Sequence, residues 1–123
     1  MRGAAETVTR WHEAVNAGDI EAAVACCHPE VEVGGPRGTG SGHDLMRGWL
    51  SRSGIRLDPQ HEITEDATTP GRVVVEELAR WTADNVPFPA PTEPTPTWVV
   101  FRVADGCLRS VVRYETGDQV PTG

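Results

Sequence analysis

Val8-Thr-Arg-Trp11-His-Glu-Ala-Val15-Asn16-Ala-Gly18-Asp19-Ile20-Glu-Ala-Ala-Val24, followed three residues later by His28-Pro29-Glu-Val31-Glu-Val33-Gly34-Gly35-Pro36, is the stretch that decides the fold. Val8, Trp11 and Val15 recur at i, i+3 and i+7, which predicts a helix over 4–18 with Gly18 placed to end it. Asp19 can cap a second helix whose apolar face is Ile20, Ala23, Val24 and Cys27, and Pro29 is expected to stop it. Val31-Glu-Val33 alternates and predicts a short strand that ends at Gly34-Gly35-Pro36.

Beyond this stretch, Arg37–Asp44 reads as a glycine-rich loop leading into a third helix. Ser41-x-x-Asp44 has the form of a capping box, and Leu45, Met46, Trp49 and Leu50 form the apolar face. Ser53-Gly54 ends that helix, and the period then changes from helical to extended. Strands are expected over 55–65, interrupted near Pro59, and over 72–82, 97–103 and 108–114. Pro70-Gly71 and Ala104-Asp105-Gly106 supply turns, the latter a strong hairpin signal. Between Asn85 and Thr97, five prolines forbid a central strand and predict a long, stiff loop, either solvated or serving as a lid or partner contact.

The composition narrows the function classes. At 123 residues the chain is read as one domain, 1–123. A net charge of -7 argues against nucleic acid or an anionic membrane as partner, since phosphate binding needs a basic face. All 11 basic residues are arginine, so a Schiff-base lysine and a P-loop lysine are excluded. No apolar run approaches the roughly 18 residues of a bilayer span, and the N-terminus lacks a signal-peptide core. Cys26, Cys27 and Cys107 do not form a disulfide framework, so a cytoplasmic protein with thiols is expected. No metal is expected: the four histidines lack ligand spacing, and Cys26-Cys27-His28 would point about 100° apart on a helix. Cys107 has no recognisable catalytic partner and reads as an inert thiol.

Asn16-Ala-Gly-Asp19, the strand-to-helix joint Val31–Leu50 and the closing Phe101-Arg-Val-Ala-Asp-Gly-Cys-Leu-Arg-Ser-Val-Val-Arg-Tyr114 stand in a characteristic order. In this the chain resembles the nuclear transport factor 2-like superfamily, which includes ketosteroid isomerase, SnoaL-type polyketide cyclases and limonene epoxide hydrolase. The resemblance covers about residues 5–115. It implies an α+β, cystatin-like cone: three N-terminal helices packed on a strongly curved antiparallel sheet around an apolar pocket. It also implies a homodimer formed through the outer sheet face, here Trp98, Val100, Arg102 and Val112.

The family's catalytic residues are not carried over. The isomerase base falls on Gly35, and the two oxyanion-hole positions fall on Trp11 and Val99. The epoxide hydrolase Asp-Arg-Asp group meets Glu77, Ala79 and Arg113, and the cyclase acid also meets Arg113. The implied pocket lining is Val33, Gly35, Val75, Val99, Phe101 and Val111, joined by Trp81 and by Trp11, Val15 and Trp49 from the helices. Glu77 and Arg113 are the candidate catalytic pair, as an ion pair that binds a carboxylate or positions water, with His43 beside the pocket mouth. A different strand frame would make Glu76, Arg80 or Glu115 the inward residues instead.

Two functions stay open at this level. One is a cofactor-independent isomerase, cyclase or hydrolase acting on a small hydrophobic molecule. The other is a non-catalytic ligand-binding or dimerisation module, favoured by the glycine, valine and alanine at the family's catalytic positions.

Overall fold

A computed structural model describes residues 3–35, 38–81 and 94–121. Helix α1 spans Ala4–Asn16, α2 Ile20–Ala25 and α3 His43–Ser53. Strands β1 (Cys27–Gly35), β2 (Gly38–Ser41), β3 (Ile55–Pro59), β4 (Arg72–Trp81), β5 (Thr95–Ala104) and β6 (Cys107–Tyr114) make one sheet in the order β2-β1-β6-β5-β4-β3. The molecule is α+β, with three helices packed on an open six-stranded sheet. Among the described residues no helix is long and apolar enough to cross a membrane.

The sheet is mixed rather than antiparallel: β1 runs parallel to β6, and every other pairing is antiparallel. A parallel neighbour needs a long crossover, and here α3, β3, β4 and β5 all intervene. Two of the strands also lie between the second and third helices, so the helices are not consecutive. The second helix ends at Ala25, not at Pro29, which sits inside β1. Pro29 falls where the β1–β6 register is irregular, between Cys27 and Glu32, so its missing N–H disrupts no regular ladder position.

The glycine-rich segment 38–41, expected as a loop, pairs with β1 as β2. Glycine permits the close approach: a Cβ on Gly34 would lie 2.5 Å from Thr39 Cγ2. The capping box does not form, because Ser41 is held in β2 opposite Glu32 and Gly42 becomes the N-cap. The expected strand over 55–65 ends at Pro59. The last pair of strands starts earlier than expected, at Thr95 and Cys107, with Pro96 opposite Leu78. The proline-rich segment from Asn85 lies, up to residue 93, outside the described residues. Asp105 and Gly106 have φ of 54° and 75°, the left-handed pair that closes a tight hairpin.

Asp19 caps α2 through its Oδ1, which accepts from Ala22 N at 3.1 Å. Gly54 ends α3 in the left-handed region at φ 55°. Asn16 fastens the end of α1 to the edge strand β3 by imitating a strand. Its Nδ2 donates to Leu57 O at 2.7 Å, and its Oδ1 accepts from Leu57 N at 2.8 Å. Asn16→Ala strands both backbone groups beside a buried Leu57 side chain, and a loss of about 2–3 kcal/mol in urea unfolding is expected.

Gly71 has φ +82° and a Cβ there would lie 2.3 Å from Val103 O. Gly71→Ala should therefore cost about 1–2 kcal/mol for the backbone alone, with the carbonyl clash added, again read as a lower urea midpoint.

The C-terminal segment lies on the outer sheet face. A Cβ on Gly117 would meet the Trp98 indole at 3.5 Å, and Arg72 Nη2 donates to Pro121 O. Asp66 orients that arginine, accepting from Arg72 Nη1 at 2.9 Å and from Thr68 N and Oγ1 at 2.8 Å. The backbone N–H of Thr68, then its hydroxyl, then Arg72 hold the Asp66 carboxyl at about 2, below its ordinary 3.8. A depressed carboxyl stabilises the fold above its unfolded value and loses that contribution as pH falls through the folded one. Between pH 4 and 2 the thermal midpoint should fall more steeply in the wild type than in Asp66→Asn.

Candidate functional site

Helical spacing decides what α1 presents to the sheet. Val8, Trp11, His12 and Val15 lie on one stripe, and all four are buried. On β4 the period is two: Val73, Val75, Glu77 and Ala79 are buried on one face, and Arg72 is buried at the strand's start. Glu77 is opposite Thr97 on β5 and Pro59 on β3, and it has no solvent contact at 0% exposure. Glu76, its neighbour on the other face, meets the exposed His61 at 3.1 Å.

The two buried stripes bring a histidine and a carboxylate together. His12 Nε2 lies 2.6 Å from Glu77 Oε1, and His12 Nδ1 lies 2.8 Å from Val8 O. A carbonyl oxygen can only accept, so Nδ1 carries a proton. The 2.6 Å contact then needs a proton of its own, held on nitrogen as imidazolium–carboxylate or on oxygen as imidazole–carboxylic acid. Both forms give a neutral pair, which makes an acid tolerable at 0% exposure.

Aromatic rings enclose the pair. Trp11 meets Phe101 edge-on at 5.4 Å and stacks on Trp49 at 6.4 Å, while His12 lies 5.3 Å from Phe101. Two polar atoms in this interior, the indole Nε1 of Trp11 and Oε2 of Glu77, have no hydrogen-bond partner among the described residues. An unpaired donor and an unpaired acceptor in a closed apolar interior are costly.

Arg113 lies apart from that pair. Its Nη1 donates to Thr97 Oγ1 at 3.4 Å, and its guanidinium lies 5.6 Å from the Trp81 ring centre. Glu77 is thus bonded to His12 rather than to Arg113. His43 is also separate: its Nε2 donates to Cys27 O at 2.9 Å, which ties the start of α3 to the start of β1.

Of the expected lining, Trp11, Val15, Val75, Val99, Phe101 and Val111 are core residues, while Val33, Trp49 and Trp81 pack partly buried against them. Gly35 is partly buried at the end of β1. A hollow of about 120 Å³ is lined by Val15, Gly18, Ile20, Leu50, Ile55 and Arg56 among others. A larger one of about 290 Å³ lies between Asn16 and the strands β3 and β4. Neither hollow is lined by His12 or Glu77.

His12 is the residue that sequence reasoning missed. The signal was its place four residues after Val8 on the apolar stripe of α1. A titratable side chain on such a stripe needs a buried partner, and no metal-ligand spacing would reveal one.

The SnoaL-like domain family matches residues 8–111. Among solved structures, an NTF2-like protein of unknown function from Cytophaga hutchinsonii is similar at 13% identity and a TM-score of 0.77, with 96% of this chain and 94% of that chain covered. A candidate polyketide cyclase from Xanthomonas campestris is similar at 24% identity and a TM-score of 0.75, with 94% and 92% covered. An LEH-like epoxide hydrolase from M. tuberculosis is similar at 18% identity and a TM-score of 0.70, with 92% and 82% covered. At these identities the likeness is one of fold. No curated protein matches the sequence.

Proposed function

The chain belongs to the SnoaL-like domain family, and from that premise we propose that it is a cofactor-independent acid–base catalyst for a small hydrophobic substrate. The observation that carries this reading is the buried His12–Glu77 pair with Glu77 Oε2 unpartnered. Similar folds in an epoxide hydrolase and a candidate polyketide cyclase support it at the level of reaction class.

In the imidazolium–carboxylate form, Oε2 takes a proton from a substrate carbon or oxygen. The pair then carries one positive charge, set against the negative charge that develops on the substrate. Trp11, Phe101 and Trp49 supply the apolar walls, and the Trp11 indole N–H is a donor for a substrate oxygen. Arg113, beside Trp81, holds an anionic oxygen at the other end of the ligand. His43 stays outside the chemistry in this reading because its ring proton is bound by Cys27 O.

The second reading is the non-catalytic module, favoured by an interior filled by the chain's own rings and by the absence of solvent contact at Glu77. Hydrogen–deuterium exchange α to the carbonyl of 2-tetralone in D2O, followed by NMR, separates the two. The wild type should accelerate exchange, and Glu77→Gln should lose about 10²–10⁴-fold of that acceleration. A wild type no faster than buffer, with tryptophan fluorescence unmoved by aromatic ketones, would overturn catalysis and leave the module.

A cytoplasmic homodimer completes the proposal. The outer face presents Val74 at 37% exposure, beside Val100 and Val112 on the neighbouring strands. Sedimentation velocity on Val74→Asp should show a monomer where the wild type shows a dimer.

A further inference from the structure

The cysteines at positions 26, 27 and 107 are all thiols, and the fold brings the three to one corner. Cys26 closes α2, Cys27 opens β1 and Cys107 opens β6. In the parallel β1–β6 pair Cys27 is opposite Leu108, and Leu108 N donates to Cys26 O at 2.8 Å. Because Leu108 directly follows Cys107, that hydrogen bond draws the backbone of Cys26, the C-cap of α2, to that of Cys107. Backbones joined by such a hydrogen bond lie about 4.8 Å apart, within the ~4.4–6.8 Å Cα separation that a disulfide spans. Cys27 and Leu108 are buried, whereas Cys26 and Cys107 are half-buried and open to small reagents.

We propose that Cys26 and Cys107 are a modification site, joined by a reversible disulfide when the protein meets a peroxide-class oxidant. The Cys107 thiolate attacks hydrogen peroxide: an S–O bond forms, the O–O bond breaks, and the departing hydroxide takes up the proton the thiol had released and leaves as one water. The Cys26 thiol then attacks the sulfenic sulfur: the S–S bond forms, the S–O bond breaks, and a second water carries off the oxygen and the thiol proton. Two thiols are oxidised and one peroxide is reduced to two waters.

Cys27 does not compete. Burial, reinforced by the neighbouring Cys26 and Cys107, pushes its thiol up to about 12, so it stays protonated. The Cys26 thiol donates to Ala22 O at 3.5 Å. Among the described residues no three His, Cys, Asp or Glu side chains are grouped to hold a metal ion.

The test is intact mass of the purified full chain after treatment with a few equivalents of hydrogen peroxide. The wild type and Cys27→Ser should each lose about 2 Da, the two thiol hydrogens, and regain them with dithiothreitol. Cys26→Ser and Cys107→Ser should not. The oxidised wild type should melt higher by on the order of 5–10 °C, because the bond closes a long loop. Oxygen addition alone, a covalent dimer, or loss of the same mass by Cys107→Ser would overturn the proposal, the last by showing a Cys26–Cys27 bond.

Discussion

Glu77→Ala is expected to destabilise the protein by about 3–5 kcal/mol in urea unfolding, the cost of breaking a buried pair from one side. The alanine leaves a void on β4 at a position with 0% exposure. It also leaves His12 Nε2 without the partner now 2.6 Å away, while Nδ1 stays committed to Val8 O at 2.8 Å. Glu77→Gln behaves differently. Its amide can donate to the neutral His12 Nε2 and fills nearly the same volume, so the loss should be about 1 kcal/mol. The gap between the two variants is the informative quantity. A Glu77→Ala protein within about 1 kcal/mol of the wild type would mean that the pair is no structural element and that its interior has an unrecognised route to water.

Trp11→Ala is the second large effect, about 3–5 kcal/mol. Trp11 is fully buried at 0% exposure and touches Phe101 at 5.4 Å, Trp49 at 6.4 Å and the His12 ring at 5.3 Å. Helix α1 meets the sheet here, so no single neighbour can collapse into the space. Trp11→Phe gives the contrast. It retains an aromatic ring against Phe101 and removes the unpartnered indole N–H. It should cost well under half as much as alanine, since part of the lost packing is offset by removing an unsatisfied donor. Urea midpoints of the two variants check this, and equal losses would show that the indole N–H is satisfied by water in solution.

The pattern of errors along the sequence has physical causes. The helices were legible because helix burial repeats every 3.6 residues and their ends carry local chemistry, Asp19 at one start and Gly54 at one finish. The closing hairpin was legible from Asp105-Gly106, a dipeptide suited to the left-handed conformations found there. The segment 38–41 was not: glycines signal a turn locally, and only the approach of Thr39 to Gly34 makes them a strand. Pro29 misled for a similar reason, since its place at a ladder irregularity depends on β6, far along the chain.

The candidate site divides the same way. Glu77 could be picked out as the acidic residue on the inward frame of β4, and Arg113 as a basic residue near the end of β6. Local periodicity places each on a strand but cannot say what it meets. Glu77's partner is His12, 65 positions away, and Arg113 bonds Thr97 instead of Glu77.

By itself, the sequence determined an acidic α+β domain with an apolar helix stripe and a hairpin close, because periodicity, caps and turn residues act over a few positions. The tertiary structure alone decided the parallel β1–β6 pairing, the His12–Glu77 contact and the hydrogen bond from Leu108 to Cys26. Each of these joins residues far apart in the chain, and their separation is set by how α1 and the strands pack, a free energy shared by the whole core and written in no single segment.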